Sequence, residues 1–182
     1  MKSFLVLAWE IFKIFVVSLA IIIPIRYFLI QPFFVQGASM EPNYEDGEYL
    51  IIDEISYRLR EAERGEVIVF KYPQNPSEFF IKRIIGLPGE TIKIQNSTIV
   101  IENKTNPLGF VLDESSYLKN VPSMGQQAVT LGEDEFFVLG DNRAASFDSR
   151  RWGPLPKDDI IGKVWIKAWP IAQAGLAHAP AY

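Results

Sequence analysis

The sequence contains no cysteine and only one histidine among its 182 residues. Without cysteine the protein can form neither a thiolate nucleophile, nor a disulfide, nor a cysteine-ligated zinc site. The single histidine, His178, lies in an Ala-rich tail, where chains commonly fray. A Ser-His-Asp triad needs an imidazole that is held rigidly between a carboxylate and a serine. Any activated nucleophile is therefore expected to use Lys, Asp or Glu as its base.

An excess of positive charge is also absent, because 18 Lys and Arg residues stand against 22 Asp and Glu residues. The basic residues are scattered along the chain, so we expect no broad electropositive surface of the kind that neutralises phosphates. Nucleic acid is therefore not an expected partner.

The sequence does contain a long apolar stretch near its N-terminal end, with no charged residue over 14–25. A helix of about 20 apolar residues can cross the roughly 30 Å hydrocarbon layer of a bilayer. We predict a transmembrane anchor, in which Glu10 and Lys13 share a helical face and offset each other's charge. A cleaved signal peptide and a long core helix are the alternatives, but no small-x-small site follows the stretch and no polar face interrupts it.

After Pro42 the chain changes to short runs of Val, Ile, Phe and Tyr that are separated by Gly, Pro and Asn. Such runs are typical of an all-β domain built of antiparallel sheets. Only 56–63 resembles a helical turn, and 103–127 is polar enough to be a long loop or insertion. The predicted strands are 49–53, 66–71, 79–85, 91–95, 98–101, 129–131, 135–139 and 163–169.

We therefore predict two parts, an N-terminal transmembrane helix within 1–32 and one all-β domain over 33–182. About 150 residues is an ordinary size for a single domain with its own core.

Three segments carry polar residues that the fold alone does not require, and the first of them is 37–42. Here Ser39 follows two small residues and precedes Met40 and a proline. A tight turn of this kind can bring backbone N–H groups together around a developing oxyanion. On spacing alone, an ordinary turn serine is the commoner explanation.

The second segment is the predicted strand in which large apolar residues surround Lys82 and Arg83. Side chains alternate between the faces of a strand, so each face holds one cation among apolar neighbours. Burial would lower the pKa of Lys82 from about 10.4 toward 8 and leave a neutral amine that can act as a base for serine. Arg83 stays protonated and cannot do this. The competing explanation is an edge strand whose lysine faces water.

The third segment is 140–150, in which Asp148 and Arg150 are two residues apart and can share one face of an extended chain. Asp141, Asn142 and Ser146 lie nearby and could orient a polar partner. A purely structural loop held by salt bridges is the alternative.

Taken together, the three segments resemble the motifs of type I signal peptidases, the enzymes that remove signal peptides from exported proteins. The nucleophile motif is similar to Ser39-Met40-x-Pro42, and the base motif to 82–90, Lys-Arg-Ile-Ile-Gly-Leu-Pro-Gly-Glu. The last motif is similar to Gly-Asp-Asn-Arg-x-x-Ser-x-Asp-Ser-Arg over 140–150. The motifs occur in the family's order behind an apolar segment, as in its single-span Gram-positive type.

The resemblance implies a Ser-Lys dyad in which neutral Lys82 takes the proton of Ser39, and the mechanism needs neither a cofactor nor a metal ion. It also implies that Ser146 holds the lysine amine and that Asp148 and Arg150 brace the loop. Part of the family has a serine at the place of Gly37. Here the oxyanion would have to rely on backbone N–H groups, chiefly that of Ser39.

The same resemblance implies that Phe33, Val35 and Met40 line shallow pockets for small side chains, in keeping with a small-x-small preference. The implied partners are the signal peptides of preproteins and the lipid bilayer. The implied location is the cell membrane, with a single span, a short cytoplasmic end and an extracytoplasmic catalytic domain.

Two other functions are compatible with parts of this pattern. A self-cleaving repressor of the SOS type shares Ser-Lys chemistry, but it would carry a DNA-binding helix-turn-helix where this chain has an apolar stretch. A membrane-anchored β-domain without catalysis, a degenerate relative, is the alternative from a different class.

Overall fold

The structure, a computed structural model, describes residues 2–28, 30–180 and 182, with side chains described at 4, 6–22, 31–180 and 182. A long N-terminal helix is followed by a series of β-strands with short helical turns between them. The α-helices are α1 (Lys2–Phe28), α2 (Ser56–Leu59) and α3 (Ser149–Trp152), and short 3-10 turns span Lys157–Asp159 and Ile171–Gln173.

Helix α1 exposes its apolar side chains, with Phe4 72% and Ile14 67% accessible. The expected charge pair is present, because Lys13 Nζ donates a hydrogen bond to Glu10 Oε1 at 2.7 Å. Within the ranges that the structure describes, no helix combines the length and the apolar character needed to cross a membrane.

The strands form two sheets in which neighbouring strands are antiparallel, as predicted for the β-domain. The strands are β1 (Ile30–Phe34), β2 (Tyr49–Asp53), β3 (Val67–Tyr72), β4 (Asn75–Gly86), β5 (Thr91–Gln95), β6 (Thr98–Glu102), β7 (Phe110–Val111), β8 (Gln126–Thr130), β9 (Glu135–Leu139), β10 (Leu155–Pro156), β11 (Ile160–Trp169) and β12 (Gly175–Leu176). The main sheet has the order β1-β2-β11-β3-β4-β9-β10, with β12 added to β11, and the small sheet has the order β7-β6-β5-β8.

The main sheet separates two apolar clusters, and its central strands contribute to both. In β3, Val67 and Val69 point to one cluster, and Ile68 and Phe70 point to the other. A strand covered on both faces becomes a continuous apolar run, and the first four residues of β3 are all buried. A third cluster, which includes Ile92 and Ile94 of β5, joins the small sheet to the main sheet.

The predicted strands 49–53, 91–95 and 135–139 have the bounds of β2, β5 and β9, and the other five overlap observed strands. Strand β1 was not predicted, because its apolar residues continue the N-terminal stretch without a change in composition. It contains Pro32, and proline is tolerated at a sheet edge where no N–H is needed. The last residues of 1–32 thus belong to the main sheet, while Met1 and Leu29 lie outside the described residues.

The segment 103–127 was expected to be a long loop or insertion, and it has strand structure only at 110–111 and 126–127, but parts of it pack into the core. It provides β7 and the start of β8, and it buries Leu112 and Leu118. It also supplies Glu114, which accepts two hydrogen bonds from the buried guanidinium of Arg143, at 2.6 and 2.9 Å. A strand of two residues has too few positions to show alternation, so the sequence pattern did not reveal this packing.

We predict that Glu114→Ala destabilises the fold by about 3–5 kcal/mol, because it leaves the charge of Arg143 buried without a partner. The matched control is Glu61→Ala, which removes an exposed partner of Lys157 and should cost less than about 1 kcal/mol. Urea unfolding of the two variants in detergent gives both values. Equal losses would mean that the buried pair contributes no more than a surface pair.

Candidate active site

Ser39 lies in the turn that follows β1 and faces a cleft. Gly37 begins the turn with a φ of +87°, in the region that favours glycine, and its N–H donates to Asp46 Oδ1 at 2.7 Å. Tyr44 N–H donates to Met40 O at 3.0 Å and closes the turn on its other side. Ser39 is therefore held between two backbone anchors.

Lys82 on β4 reaches Ser39 across 43 positions of sequence. Its Nζ donates a hydrogen bond to Ser39 Oγ at 2.8 Å and another to Ile81 O at 2.7 Å. Only 4% of Lys82 is exposed, since β4 pairs with β3 on one side, but the residue lines the cleft beside Ser39. The structure thus brings together the two residues that were predicted as nucleophile and base.

Burial lowers the pKa of Lys82 to about 8, although the charges of Asp148 and Asp141 act in the opposite direction. A buried amine loses the hydration that stabilises its protonated form. The Nζ atom forms no salt bridge within the described residues. A large neutral fraction therefore exists at mildly alkaline pH, and a neutral amine can accept the proton of a serine hydroxyl.

The neighbouring cation, Arg83, has a different environment on the opposite face of β4. Its Nε and Nη2 donate to the two carboxylate oxygens of Asp141 at 2.8 and 2.6 Å. Asp141 also accepts from Asn43 Nδ2 at 2.8 Å, so it links β4 to the end of the Ser39 turn. The guanidinium lies 4.2 Å from the centre of the Tyr117 ring. Arg83 is thus a structural cation, and Asp141 connects the strand that carries Lys82 to the turn that carries Ser39.

The segment after β9 fixes the backbone of the nucleophile. Asn142 N–H donates to Ser39 O at 3.0 Å, and Asn142 Nδ2 donates to Ala38 O, also at 3.0 Å. Gly140 permits this approach, because a Cβ there would lie 2.4 Å from Ser39 O and 2.2 Å from Ser146 Oγ. Asn142 therefore holds the peptide groups on both sides of the nucleophile.

Asp148 and Arg150 form the expected contact. Arg150 Nε and Nη2 each donate to Asp148 at 2.8 Å, and Gly140 N–H donates to the same carboxylate at 3.1 Å. Burial alone would raise the pKa of Asp148, but the hydrogen bonds and charge of Arg150 hold it below its usual value. The aspartate stays ionised and braces the loop that contacts Ser39.

The expected hydrogen bond between Ser146 and Lys82 is not formed. Ser146 Oγ is buried beside Gly140, and it lies close enough to Asp148 to help hold the pKa of that carboxyl below its usual value. The amine of Lys82 is directed instead to Ser39 and to the carbonyl of Ile81. Ser146 thus lies next to the site without holding the base in this arrangement.

A cleft of about 750 Å³ opens beside Ser39 and Lys82. Phe33 and Val35 line it, as expected for substrate-binding residues. Met40 does not line it, because its side chain is 0% exposed and packs in the apolar cluster behind the turn, which corrects the expectation. The direction of a side chain within a turn depends on backbone angles that residue spacing does not specify.

The cleft is a gap in the main sheet between β1 and β4. Strand β1 pairs only with β2, and β9 begins to pair with β4 at Arg83, so Asn75 to Lys82 of β4 have β3 as their one partner strand in the described chain. Four antiparallel steps separate β1 from β4, which therefore run in the same direction. Two unpaired strand edges, from strands that run in the same direction, thus face each other across the cleft.

The Ser39 N–H donates to no acceptor within the described residues, whereas the Gly37 N–H is occupied by Asp46. A free donor on the nucleophile's own amide can receive a developing oxyanion. Among the same residues, no group of three or more His, Cys, Asp or Glu side chains could hold a metal ion. A nucleophile, a neutral base and an open cleft with strand edges suit acyl transfer on an extended peptide.

Some functional contacts were missed by sequence reasoning. Phe79 and Phe147 line the cleft, but in the sequence they look like ordinary strand and loop aromatics. The close approach of Gly140 to Ser39 was also missed. Its only sign in the sequence is that a glycine directly follows a strand of large apolar residues. The tether from Asn142 to Ala38 joins residues 104 positions apart, which spacing cannot reveal.

Comparison with known proteins assigns this chain to a family. Residues 8–169 match the family described as "Signal peptidase, peptidase S26". The chain is 36% identical over 172 residues to "Probable signal peptidase I-2" of Synechocystis sp., covering 92% of this chain and 76% of that protein. It is 37% identical to "Signal peptidase I" of Leptolyngbya laminosa, covering 91% of this chain and 82% of that protein.

More distant relatives have related names. "Signal peptidase IB" of Staphylococcus aureus is 29% identical, over 86% of this chain and 87% of that protein. The crystal structure of a signal peptidase I from Enterococcus faecalis V583 is 30% identical, covers 58% of this chain and 97% of that chain, and has a TM-score of 0.49.

We predict that phosphonylation of Ser39 by a fluorophosphonate, in which Ser39 Oγ bonds to phosphorus and fluoride leaves, rises with pH along a limb centred near pH 8. Lys82 has a folded-state pKa below its unfolded value, so it is protonated and inactive as a base below about pH 8 and becomes neutral above it. Stopped-flow labelling across pH 5 to 10, in steps of about one unit, measures the limb. A limb centred near 4 would implicate a carboxylate base, and His178→Ala is the control that should leave the profile unchanged.

Proposed function

The chain belongs to the signal peptidase family, peptidase S26, and from that premise we propose that it removes N-terminal signal peptides from exported preproteins. The observation that carries this proposal is the 2.8 Å contact between Lys82 Nζ and Ser39 Oγ, two residues that line an open cleft. In this proposal Ser39 is the nucleophile and Lys82 is its general base.

The reaction begins when neutral Lys82 accepts the hydroxyl proton of Ser39 and Ser39 Oγ attacks the carbonyl carbon at the end of the signal peptide. The Ser39 N–H donates to the oxyanion that forms. The protonated lysine then gives its proton to the leaving amine, which frees the mature protein and leaves the signal peptide as an ester on Ser39. Water, deprotonated by the same amine, hydrolyses the ester and restores the hydroxyl.

Substrate binding follows from the free edges of β1 and β4. An extended peptide that enters the gap can hydrogen-bond to both edges and become an additional strand. Beside Ser39 the floor is formed by Leu50 and Val69, whose side chains are buried in the apolar cluster, so it offers no deep pocket. Small side chains near the scissile bond fit such a floor, whereas large ones would need the core to move.

The proposal includes a membrane anchor formed by α1, with the catalytic domain outside the cytoplasm. The exposed apolar side chains of α1 support the anchor. Most of those described within 6–22 are not buried against any other part of the protein, so a hydrocarbon layer would cover them. Ser39 lies nine positions after Ile30, and an extended chain covers at most about 3.6 Å per residue. The nucleophile would thus lie within roughly 30 Å of the bilayer, near the end of a membrane-inserted signal peptide.

We predict that Ser39→Ala and Lys82→Arg each lower the rate of preprotein cleavage by a factor of about 10³ or more, because either change removes the activated nucleophile. Arginine keeps the charge but stays protonated. The matched control is Lys71→Arg, an exposed lysine on the adjacent strand β3, which should retain full activity. Gel assays of preprotein processing measure the cleavage rate of each variant. Substantial activity in Lys82→Arg would exclude the dyad.

The anchor is tested by Val17→Lys combined with Ile21→Lys. These residues are four apart on α1, and each lysine at a helix centre costs about 2.5–3.5 kcal/mol of insertion free energy. We expect the double variant to be extracted from membranes by carbonate, while the unmodified protein stays bound. Val111→Lys, at an exposed apolar position in β7, is the control that should stay bound. Retention of the double variant in the membrane would contradict the anchor.

A further inference from the structure

Two aromatic side chains meet across the open gap of the main sheet. Phe33 on β1 and Phe79 on β4 have ring centroids 5.8 Å apart and planes at 68°, an edge-to-face contact. Their strands are not hydrogen-bonded to each other. The ring contact thus spans the space that a substrate strand would enter, and we call these two residues the aromatic bridge.

The aromatic bridge lies upstream of the reacting groups along both strands. Phe33 precedes Ser39 by six residues and Phe79 precedes Lys82 by three, and both strands run toward the dyad. Three strand residues span about 10 Å, and the extended side chain of Lys82 adds its own length before it reaches Ser39. An extended peptide bonded at Ser39 therefore reaches the bridge after four or five residues.

Alternation decides which of these residues meets the bridge. Phe33, Val35 and Ile81 pack against the same apolar cluster, and Phe79 shares the face of Ile81 on β4, so all four side chains line one wall of the cleft. A peptide strand that runs parallel to β1 and β4 places the residues before its scissile bond along this wall, and it turns the first, third and fifth of them toward it. The first and third of these peptide residues contact the aliphatic part of the wall near Ser39, formed by Val35 and Ile81. The fifth peptide residue contacts the aromatic bridge.

We propose that the aromatic bridge of Phe33 and Phe79 is a specificity site that selects a large apolar side chain at the fifth residue before the scissile bond. This inference rests on the proposed function. Phe79 is 52% exposed, so an incoming side chain can contact its ring. A charged side chain in that position would lose bound water and gain no polar partner in return. The bridge thereby positions the apolar part of a signal peptide relative to Ser39.

The test uses short peptides with Leu, Ala or Asp at the fifth residue before the scissile bond, and a second set with the same changes at the fourth residue. We expect the unmodified protein to prefer Leu over Asp at the fifth residue by roughly tenfold or more in kcat/KM. The fourth residue turns away from the wall, so little preference is expected there. Absence of preference at the fifth residue, with the Ala peptide cleaved, would overturn the inference and leave the proposed function intact.

Enzyme variants connect the preference to the bridge. In Phe79→Ala the Leu-over-Asp ratio at the fifth residue should fall to about threefold or less while the Ala peptide is still cleaved, and Phe79→Tyr should retain the ratio. The matched control is Phe34→Ala, which removes a 48% exposed phenylalanine of the same cleft that contacts Tyr49 on the adjacent strand instead of crossing the gap. An equal loss of preference in Phe34→Ala would overturn the inference, and failure of the unmodified protein to cleave any peptide would overturn both proposals.

Discussion

A buried lysine amine without a carboxylate in contact is the constraint on which the rest of this site depends. Lys82 lies among apolar groups of the main sheet, and its Nζ contacts a hydroxyl and a carbonyl oxygen. The loss of hydration lowers its pKa to about 8, which corresponds to roughly 3 kcal/mol of free energy that the surrounding fold must supply. The cost is largest below that pKa and declines as the pH rises toward the unfolded-state value of lysine.

The arginines inside the fold differ from Lys82, because each of them contacts a carboxylate. Arg83 and Arg143 are buried and Arg64 is half-buried, and each has a carboxylate partner in bidentate contact that compensates its charge. These pairs connect β4, the segment 103–127 and the loop after β9 into one scaffold. The paired arginines stabilise this scaffold. The amine of Lys82 has no salt bridge within the described residues and can therefore exchange a proton without breaking one.

The second structural condition is the gap in the main sheet. A sheet edge is normally a liability, because its unpaired N–H and C=O groups invite association with other chains. Here two edges, β1 and β4, face the same cleft, and a peptide that fills the gap would satisfy both. The edge of β1 also continues directly from the region of α1, so the nucleophile, the peptide-binding edge and the proposed anchor follow one another within 39 residues.

The sequence by itself determined the chemistry that is available and most of the strands. The absence of cysteine and the position of His178 left Lys, Asp or Glu as the base, and alternation located β2, β5 and β9 at their observed bounds. Only the tertiary structure decided which groups meet. The 2.8 Å contact between Ser39 and Lys82, the inward direction of Met40 and the position of the Ser146 hydroxyl beside Gly140 depend on strand register and turn angles. Register is set by packing between residues far apart in the chain, and local residue spacing contains no record of that packing.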